Sequence, residues 1–193
     1  MRFTIPCISA LAAVAAAAPN NSPRDVVIVT PGPGLPSLES VGLSNEKLSD
    51  PAFLASEAKR LGLVPSSKSA RSPLLDSRDD GDIGCFSESV QTSIDAAAAC
   101  VTYLDHLGST PCVVPAKGWV AFCSTTVNGV PGVVGGISVA DNAGTQSSCR
   151  NVATGIAQIV FKCVSSDGKA AAGLNRTPYN RDLAITLASK LMV

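Results

Sequence analysis

Apolar residues recur at helical spacing in a segment near the middle of the chain. Ile94, Ala97, Val101 and Leu104 lie three or four residues apart, and Gly108 follows them. This spacing predicts an amphipathic helix with one buried stripe that stops at the glycine. The serines at 87 and 89 are its candidate N-caps.

A second apolar stripe runs through CRNVATGIAQIVFKC, from Cys149 to Cys163. Val152, Ile156 and Ile159 lie on one side of the predicted helix. At 100° per residue the two cysteines fall within about 40° of each other around the axis, yet roughly 21 Å apart along it. They cannot bond to each other across an intact helix, so each end is predicted to be joined to a different neighbour.

Other segments alternate between apolar and polar positions, as strands do. KGWVAFCST and VNGVPGVVGGISVA are joined by Asn128-Gly129, a favoured tight-turn pair, and together they predict a hairpin. DIGCF before the first helix and RDLAITLASK near the end of the chain predict two more strands, while GLNRTPYN is predicted to be a loop.

The predicted order is strand, helix, strand, strand, helix, strand. This order is typical of an α+β fold, the split β-α-β sandwich, in which two helices cover one face of a four-stranded antiparallel sheet. We expect residues 81–193 to form this single domain, stabilised by disulfides.

Residues 1–18 have the pattern of a secretory signal peptide. One arginine precedes an apolar run from Ile5 to Ala18, and Pro19 follows a series of alanines. The run is shorter than the about 20 apolar residues that a membrane-spanning helix needs, and no later run reaches that length. We therefore expect a secreted, extracellular protein with no integral membrane segment.

Residues 19–80 are rich in proline, serine and charged residues, a composition typical of disorder, and predict a disordered leader. A short helix interrupted at Pro51 is the local exception. Lys59 and Arg60 form a dibasic pair of the kind that secretory proteases cut, so cleavage after Arg60 would remove a propeptide. The alternative is a solvated pair at a helix end, where positive charge is favourable.

Six cysteines remain after removal of the signal peptide, which contains Cys7. An even number in an exported chain predicts a disulfide framework of three bonds. Zinc binding would need closely spaced ligands, whereas these cysteines are ten or more residues apart and the chain has one histidine. We expect no metal or other cofactor, and the sequence leaves the pairing open. The six are Cys85, Cys100, Cys112, Cys123, Cys149 and Cys163.

The charge balance excludes one class of partner. The chain has 15 basic and 15 acidic residues and no basic run. Nucleic-acid-binding proteins usually have a basic excess or a basic stripe. We therefore expect no nucleic-acid partner.

No pattern for catalysis is evident. The G-x-S-x-G motif is absent, His106 is the one imidazole available, and an even cysteine count leaves no free thiol. His106 with Glu88 and an arginine would supply acid-base groups, but nothing in the pattern brings them together. A carboxylate-based hydrolase would draw on Glu88, Asp141 or Asp167, although scattered surface carboxylates are the simpler interpretation.

Two further motifs have simple interpretations. The glycine-rich GVPGVVGG lacks the lysine and the following helix of a phosphate loop, so the glycines are attributed to bends or bulges in a strand. Asn175-Arg176-Thr177 is a glycosylation sequon in the predicted exposed loop, which makes Asn175 a candidate glycan acceptor.

The signal peptide, the cysteine-free leader with its Lys-Arg pair, and the stretches ACVTYL, GWVAFC, NVATGIAQIVFKC and GLNRTPYNRDLAITL together resemble small cysteine-rich secreted proteins of fungi. Within that group the layout is most similar to effector-like proteins with the killer-toxin α/β sandwich. The resemblance covers about 110 residues. It implies export, three disulfides, and action by binding host or competitor molecules.

The resulting hypothesis is a secreted, non-enzymatic binding protein, an effector or toxin-like factor that acts outside the producing cell on an extracellular protein or glycan. The alternatives are a small extracellular hydrolase with a carboxylate-based site and a structural cell-surface protein.

Overall fold

The computed structural model describes residues 26–63, 83–140 and 142–190. The predicted signal peptide and Asp141 lie outside the described residues. Within the described ranges, no helix is both long and apolar enough to cross a membrane.

The chain folds as an α+β protein around one antiparallel sheet of six strands. They are β1 Val27–Pro31, β2 Gly84–Cys85, β5 Trp119–Val127, β6 Val130–Ser138, β9 Gly173–Thr177 and β10 Asn180–Ala188, and their order in the sheet is β1-β5-β6-β10-β9-β2. The sequence predicted four of these strands, so the four-stranded description is wrong in number. The missing two are β1 and β9, which lie in segments predicted to be disordered leader and loop.

Two short ribbons lie outside the main sheet. Strands β3 (Thr92–Ser93) and β8 (Ala170–Ala171) pair with each other, as do β4 (Pro111–Val114) and β7 (Thr145–Ser148). The predicted hairpin is confirmed: β5 and β6 meet at Asn128-Gly129, and both residues have positive φ. A positive φ at both central positions is what a type I′ hairpin turn requires.

The two long predicted helices are confirmed. Helix α3 spans Ile94–His106, and Gly108 just beyond its end has a φ of 59°. Its N-cap is Ser93, whose hydroxyl accepts from Ala96 N, because residues 88–90 form a separate 3-10 turn. Ser87 and Ser89 therefore do not cap α3. Helix α4 spans Cys149–Cys163, with Ser148 as its N-cap.

Both helices cover one face of the sheet, which we call the inner face. A Cβ added at Gly132 in β6 would touch the Ala96 side chain of α3, and one at Gly155 in α4 would touch Ile185 of β10. Leu183, Ile185 and Leu187 point to this face and are at most 1% exposed. The two long helices thus lie on one face, but the described residues also contain shorter helices at Asn45–Leu48 and Pro51–Arg60, so the description with two helices is only partly matched.

The prediction of a disordered leader is wrong for residues 26–63. Strand β1 pairs with β5 along five residues, from Val27↔Val127 to Pro31↔Cys123. It is followed by helices α1 (Asn45–Leu48) and α2 (Pro51–Arg60). The break before Pro51 is where the sequence placed it, and Asp50 caps α2.

The leader is ordered because most of its large apolar residues pack in the core, with the exception of the exposed Val26 and Ile28. Nine of its side chains are less than 8% exposed: Val27, Val29, Leu38, Leu43, Leu48, Leu54, Ala58, Leu61 and Leu63. Burial of each of the larger side chains contributes about 1.5–3 kcal/mol to the free energy of folding. This contribution offsets the conformational entropy that the proline-rich segment loses when it becomes ordered. The average composition of the segment predicts disorder because it does not show where along the chain these apolar residues lie.

All six predicted disulfide cysteines are paired. The bonds are Cys85–Cys163, Cys100–Cys123 and Cys112–Cys149. The two ends of α4 are therefore joined to different neighbours, one to β4 and one to β2, as the helix geometry required. The Cys100–Cys123 bond joins α3 to β5.

Candidate binding surface

The face of the sheet opposite the helices, here called the outer face, carries mainly uncharged side chains. Cross-strand partners share a face of a sheet, so the register of β5, β6, β9 and β10 defines its members. Of these positions Arg176 alone carries a charge, and its guanidinium donates to the carbonyl of Arg181 at 3.0 Å. The positions are Trp119, Ala121, Ser124, Thr126, Pro131, Val133, Gly135, Ile137, Leu174, Arg176, Ala184, Thr186 and Ala188.

Trp119 lies over Gly135 on the neighbouring strand. A Cβ at Gly135 would stand 2.5 Å from Cζ2 of the indole, closer than any real contact, so only glycine leaves room for the ring. The indole Nε1 is buried and has no hydrogen-bond partner within the described part of the chain. The ring is held by packing and not by its polar atom.

The glycine run in β6 is explained by such packing. Gly136 faces the opposite side, where a Cβ would collide with Phe122 and Val114, and Gly132 adjoins Thr92 and Ala96. The prediction from the sequence was that these glycines form bends or bulges in a strand. The bulge of this hairpin instead lies in β5, between Ala121 and Cys123.

Tyr179 stands at the tip of the β9–β10 hairpin and is 96% exposed. Its φ is 67°, in the left-handed region that costs a tyrosine about 1–2 kcal/mol. The neighbouring Asn180 fixes the turn, because its amide donates to Thr145 Oγ1 at 2.9 Å and to the carbonyl of Gln146 at 2.7 Å. The ring is therefore presented to solvent from a backbone that is strained and anchored, a combination associated with functional positions. No sequence motif indicated a role for Tyr179.

A cluster of charged residues joins α2 to α3 and α4. Arg60 contacts Glu57 at 2.6 Å and Asp105 at 2.8 Å, and Arg150 of α4 reaches the other oxygen of Asp105 at 3.4 Å. The hydrogen bond with Glu57, followed by that with Asp105, raises the pKa of Arg60 in spite of its partial burial. These charges compensate one another within the molecule.

His106 lies at the end of α3, as predicted, beside this cluster. Its Nδ1 is 3.3 Å from the carbonyl oxygen of Val41, and its Nε2 is 3.8 Å from Glu57. The carboxylate near His106 is thus Glu57 of α2, and not Glu88, which is exposed in the turn at 88–90. The contact between His106 and Glu57 could not be predicted from the sequence, because Glu57 lies in the segment that was predicted to be disordered.

Asp167, one of the carboxylates proposed for hydrolysis, does not show the property of a general acid. Asp167 is exposed in a turn, where the hydroxyl of Ser165 and the backbone N–H of Lys169 donate to it and lower its pKa. A catalytic acid needs the opposite shift. Among the described residues, no group of three or more His, Cys, Asp or Glu side chains is placed to hold a metal ion.

The remaining sequence-predicted sites lie apart from these surfaces or inside the protein. Lys59 and Arg60 form the last turn of α2. Asn175 is not in an exposed loop: it lies in β9 and is 3% exposed. Its Nδ2, the atom that would carry a glycan, donates to Gly155 O at 3.2 Å and Gln158 Oε1 at 2.8 Å beneath α4. The expectation of an accessible acceptor is therefore wrong.

Comparison with known proteins gives one match. No curated protein and no solved structure matches the chain. The sequence model of a family described as a domain of unknown function, DUF8794, matches residues 81–189, more than half of the 193 residues. This range includes both long helices, the three disulfides and every strand of the main sheet except β1. The chain therefore belongs to the DUF8794 family.

Proposed function

We propose that this protein is a secreted, non-enzymatic binding protein, a fungal effector or toxin-like factor that acts outside the producing cell on an extracellular protein or glycan. Three disulfides fit an oxidising compartment, since such bonds persist there and are rare in the cytosol. The predicted signal peptide supports the same location.

The observation that carries the binding role is Tyr179. A tyrosine supplies a large amphipathic contact area and loses little conformational freedom on binding, so it is enriched at the centres of interfaces. Here the hairpin holds the ring away from the rest of the protein at a cost in backbone strain. A side chain that packs against nothing contributes nothing to folding, which makes contact with a partner the physical use that remains for it.

The outer face supplements this contact. Its paired positions are uncharged apart from Arg176, and they include the partly exposed Trp119. A partly exposed aromatic ring among uncharged side chains suits the apolar face of a sugar ring or an apolar protein surface. Both kinds of ligand agree with an extracellular protein or glycan partner.

The test is a binding comparison of three forms of the secreted chain. Fluorescently labelled wild type, Tyr179→Gly and Phe161→Ala are applied to arrays of cell-wall glycans and extracellular proteins and to living plant and fungal cells. Glycine suits the positive φ, so the first variant removes the ring and leaves the turn intact. Phe161 is 52% exposed on α4 and is the matched control.

We expect Tyr179→Gly to lose at least about tenfold in affinity, the size of one good contact, and Phe161→Ala to bind as wild type does. Equal binding by all three forms would contradict the role of Tyr179. Hydrolysis of a glycan, peptide or nucleic acid by the purified wild type would contradict the non-enzymatic role.

A further inference from the structure

Among the described residues, the peptide chain itself is the only covalent link between the N-terminal segment and the family domain. Residues 26–60, here called the strap, contain no cysteine, and all three disulfides join residues between Cys85 and Cys163. The family match begins at residue 81 and leaves the strap out. One broken peptide bond after the strap would therefore turn an internal segment into a separate, noncovalently held peptide.

The strap covers one edge of the sheet. Its strand β1 pairs with residues 123–127 of β5, and beyond that Gly32 N donates to Phe122 O at 2.9 Å. The side chains of Val27 and Val29 point to the inner face and are 2% and 4% exposed, whereas Ile28 between them is 50% exposed. Without the strap, β5 would be an unpaired edge with an apolar groove along its inner side, the kind of edge that accepts an added strand.

The strap also protects its own outer edge. The backbone N–H groups of Val27 and Val29 donate to Ser49 Oγ at 2.9 Å and to Asn45 Oδ1 at 2.8 Å. These two side chains belong to α1 and its C-cap, so strand and helix form one folded unit. Strand addition therefore stops at β1 while the strap is in place.

Few polar contacts fasten the strap to the helices of the domain. Tyr103 in α3 donates its hydroxyl to Pro36 O at 2.6 Å, and Arg60 pairs with Asp105 at 2.8 Å. His106 adds its weaker contacts with Val41 O at 3.3 Å and Glu57 at 3.8 Å. The contact with Asp105 involves the residue after which the dibasic pair would be cut. Arg60 stands in the last turn of α2 with 48% of its side chain exposed, and helix ends open more easily than helix centres.

We propose that the strap is releasable, and that the β5 edge beneath it is a docking site for an extended strand of a protein partner with β-branched apolar residues at alternate positions. Release follows hydrolysis of the Arg60–Leu61 peptide bond by a dibasic-specific secretory protease. Water is consumed, Arg60 gains a carboxylate and Leu61 gains an amino group. The partner strand then takes the places of Val27 and Val29.

The cut weakens the strap by dilution and not by loss of contacts. In the intact chain, the connection holds the strap near the domain at an effective concentration on the order of millimolar. After hydrolysis the relevant concentration is that of the protein itself. At about 1 µM the bound strap is disfavoured by about a thousandfold relative to the intact chain, so a competing strand can replace it.

The first experiment follows release from the full chain. The purified protein is treated with a dibasic-specific protease of the kexin class, and native mass spectrometry is recorded before and after dilution, with Arg60→Gln as the uncut control. We expect one cut in the folded wild type, a complex at high concentration, and separation on dilution with the far-UV circular dichroism of the remaining domain retained. A folded chain that resists the protease, a fragment that never separates, or unfolding on release would each overturn the proposal.

The second experiment tests the edge with fluorescein-labelled synthetic peptides of residues 26–60. We expect the wild-type peptide to bind the cut and diluted protein, and to bind the uncut chain about a thousandfold more weakly because the strap competes. The Val29→Lys peptide should bind at least about tenfold more weakly, since it puts a charge on the buried face. The Ile28→Lys peptide should bind as wild type does.

Equal binding of the two lysine peptides, or equal binding to cut and uncut protein, would overturn the docking site. These outcomes do not depend on Tyr179, so they are separate from a failure of the proposed binding role of the hairpin tip.

Discussion

At the scale of single residues, the arrangement of Trp119 over Gly135 depends on the absence of one methyl group. A Cβ at position 135 would meet three indole atoms at 2.5–2.9 Å, and the ring would have to move or the strands separate. We expect Gly135→Ala to lower the free energy of unfolding by about 1–3 kcal/mol, the usual cost of overpacking. Because Trp119 is the only tryptophan, its fluorescence emission reports the displacement directly.

Gly84→Ala is the matched control for this substitution. A Cβ at Gly84 in β2 meets nothing within 4 Å and the residue has no positive φ, so we expect a change within about 0.5 kcal/mol and an unaltered emission spectrum. Urea denaturation followed by circular dichroism compares the two variants. A Gly135→Ala protein as stable as wild type would show that the indole is not confined by the strand beneath it.

The residues that sequence reasoning misplaced are those whose partners lie on another element. Gly135 reads as a strand irregularity until the register with Trp119 is known. Asn175 reads as a loop residue because Pro178 and polar neighbours follow, yet α4 supplies the carbonyl of Gly155 that satisfies its buried amide. Periodicity along one segment contains no information about the polar groups that another segment brings to it.

At the scale of elements, α4 was predicted from its sequence to the residue, and the reason is physical. Its stripe of Val152, Ile156 and Ile159 has a helical period, Ser148 caps its start, and a cysteine bonded to another element stands at each end. Strand β1 was missed because VVIV is four residues long within a proline-rich segment. A short apolar run becomes a strand only when an edge such as β5 is there to pair with it.

The two disulfides of α4 differ in access to solvent, and this predicts the order in which they are reduced. Cys85 lies in the exposed strand β2 and Cys163 is 6% exposed, whereas Cys112 and Cys149 are fully buried. Thiol-disulfide exchange needs an approach to one sulfur. Under native conditions we therefore expect a phosphine reductant to open Cys85–Cys163 at least about tenfold faster than Cys112–Cys149.

Alkylation after timed reduction, followed by peptide mass mapping, gives the order. The buried Cys100–Cys123 bond serves as a second reference, since both of its residues are at most 1% exposed. Simultaneous loss of all three bonds would instead indicate that reduction proceeds through global unfolding.

At the scale of the whole molecule, the strap and the family domain share one core, and Tyr103 connects them. Its ring is completely buried in α3, its hydroxyl donates to Pro36 O of the strap, and burial raises the pKa of the phenol to about 12 from an ordinary value of 10. The folded state thus retains the phenol proton at a pH at which the unfolded state has lost it. Stability contributed by the neutral phenol is complete below pH 10 and is lost as the pH rises from 10 towards 12.

We expect this loss to reach about 2 kcal/mol at a pH near 11.5, and we expect it to be absent from Tyr103→Phe, which cannot ionise. The measurement is the free energy of unfolding in urea at a pH near 9 and near 11.5 for both proteins, because other groups that titrate in this range contribute equally to the two. Tyr103→Phe should be less stable than wild type at the lower pH, since Pro36 O loses its donor. If the two proteins lose the same free energy between the two pH values, the phenol ionises as readily in the folded state as in the unfolded one. The contact between α3 and the strap would then be open to water.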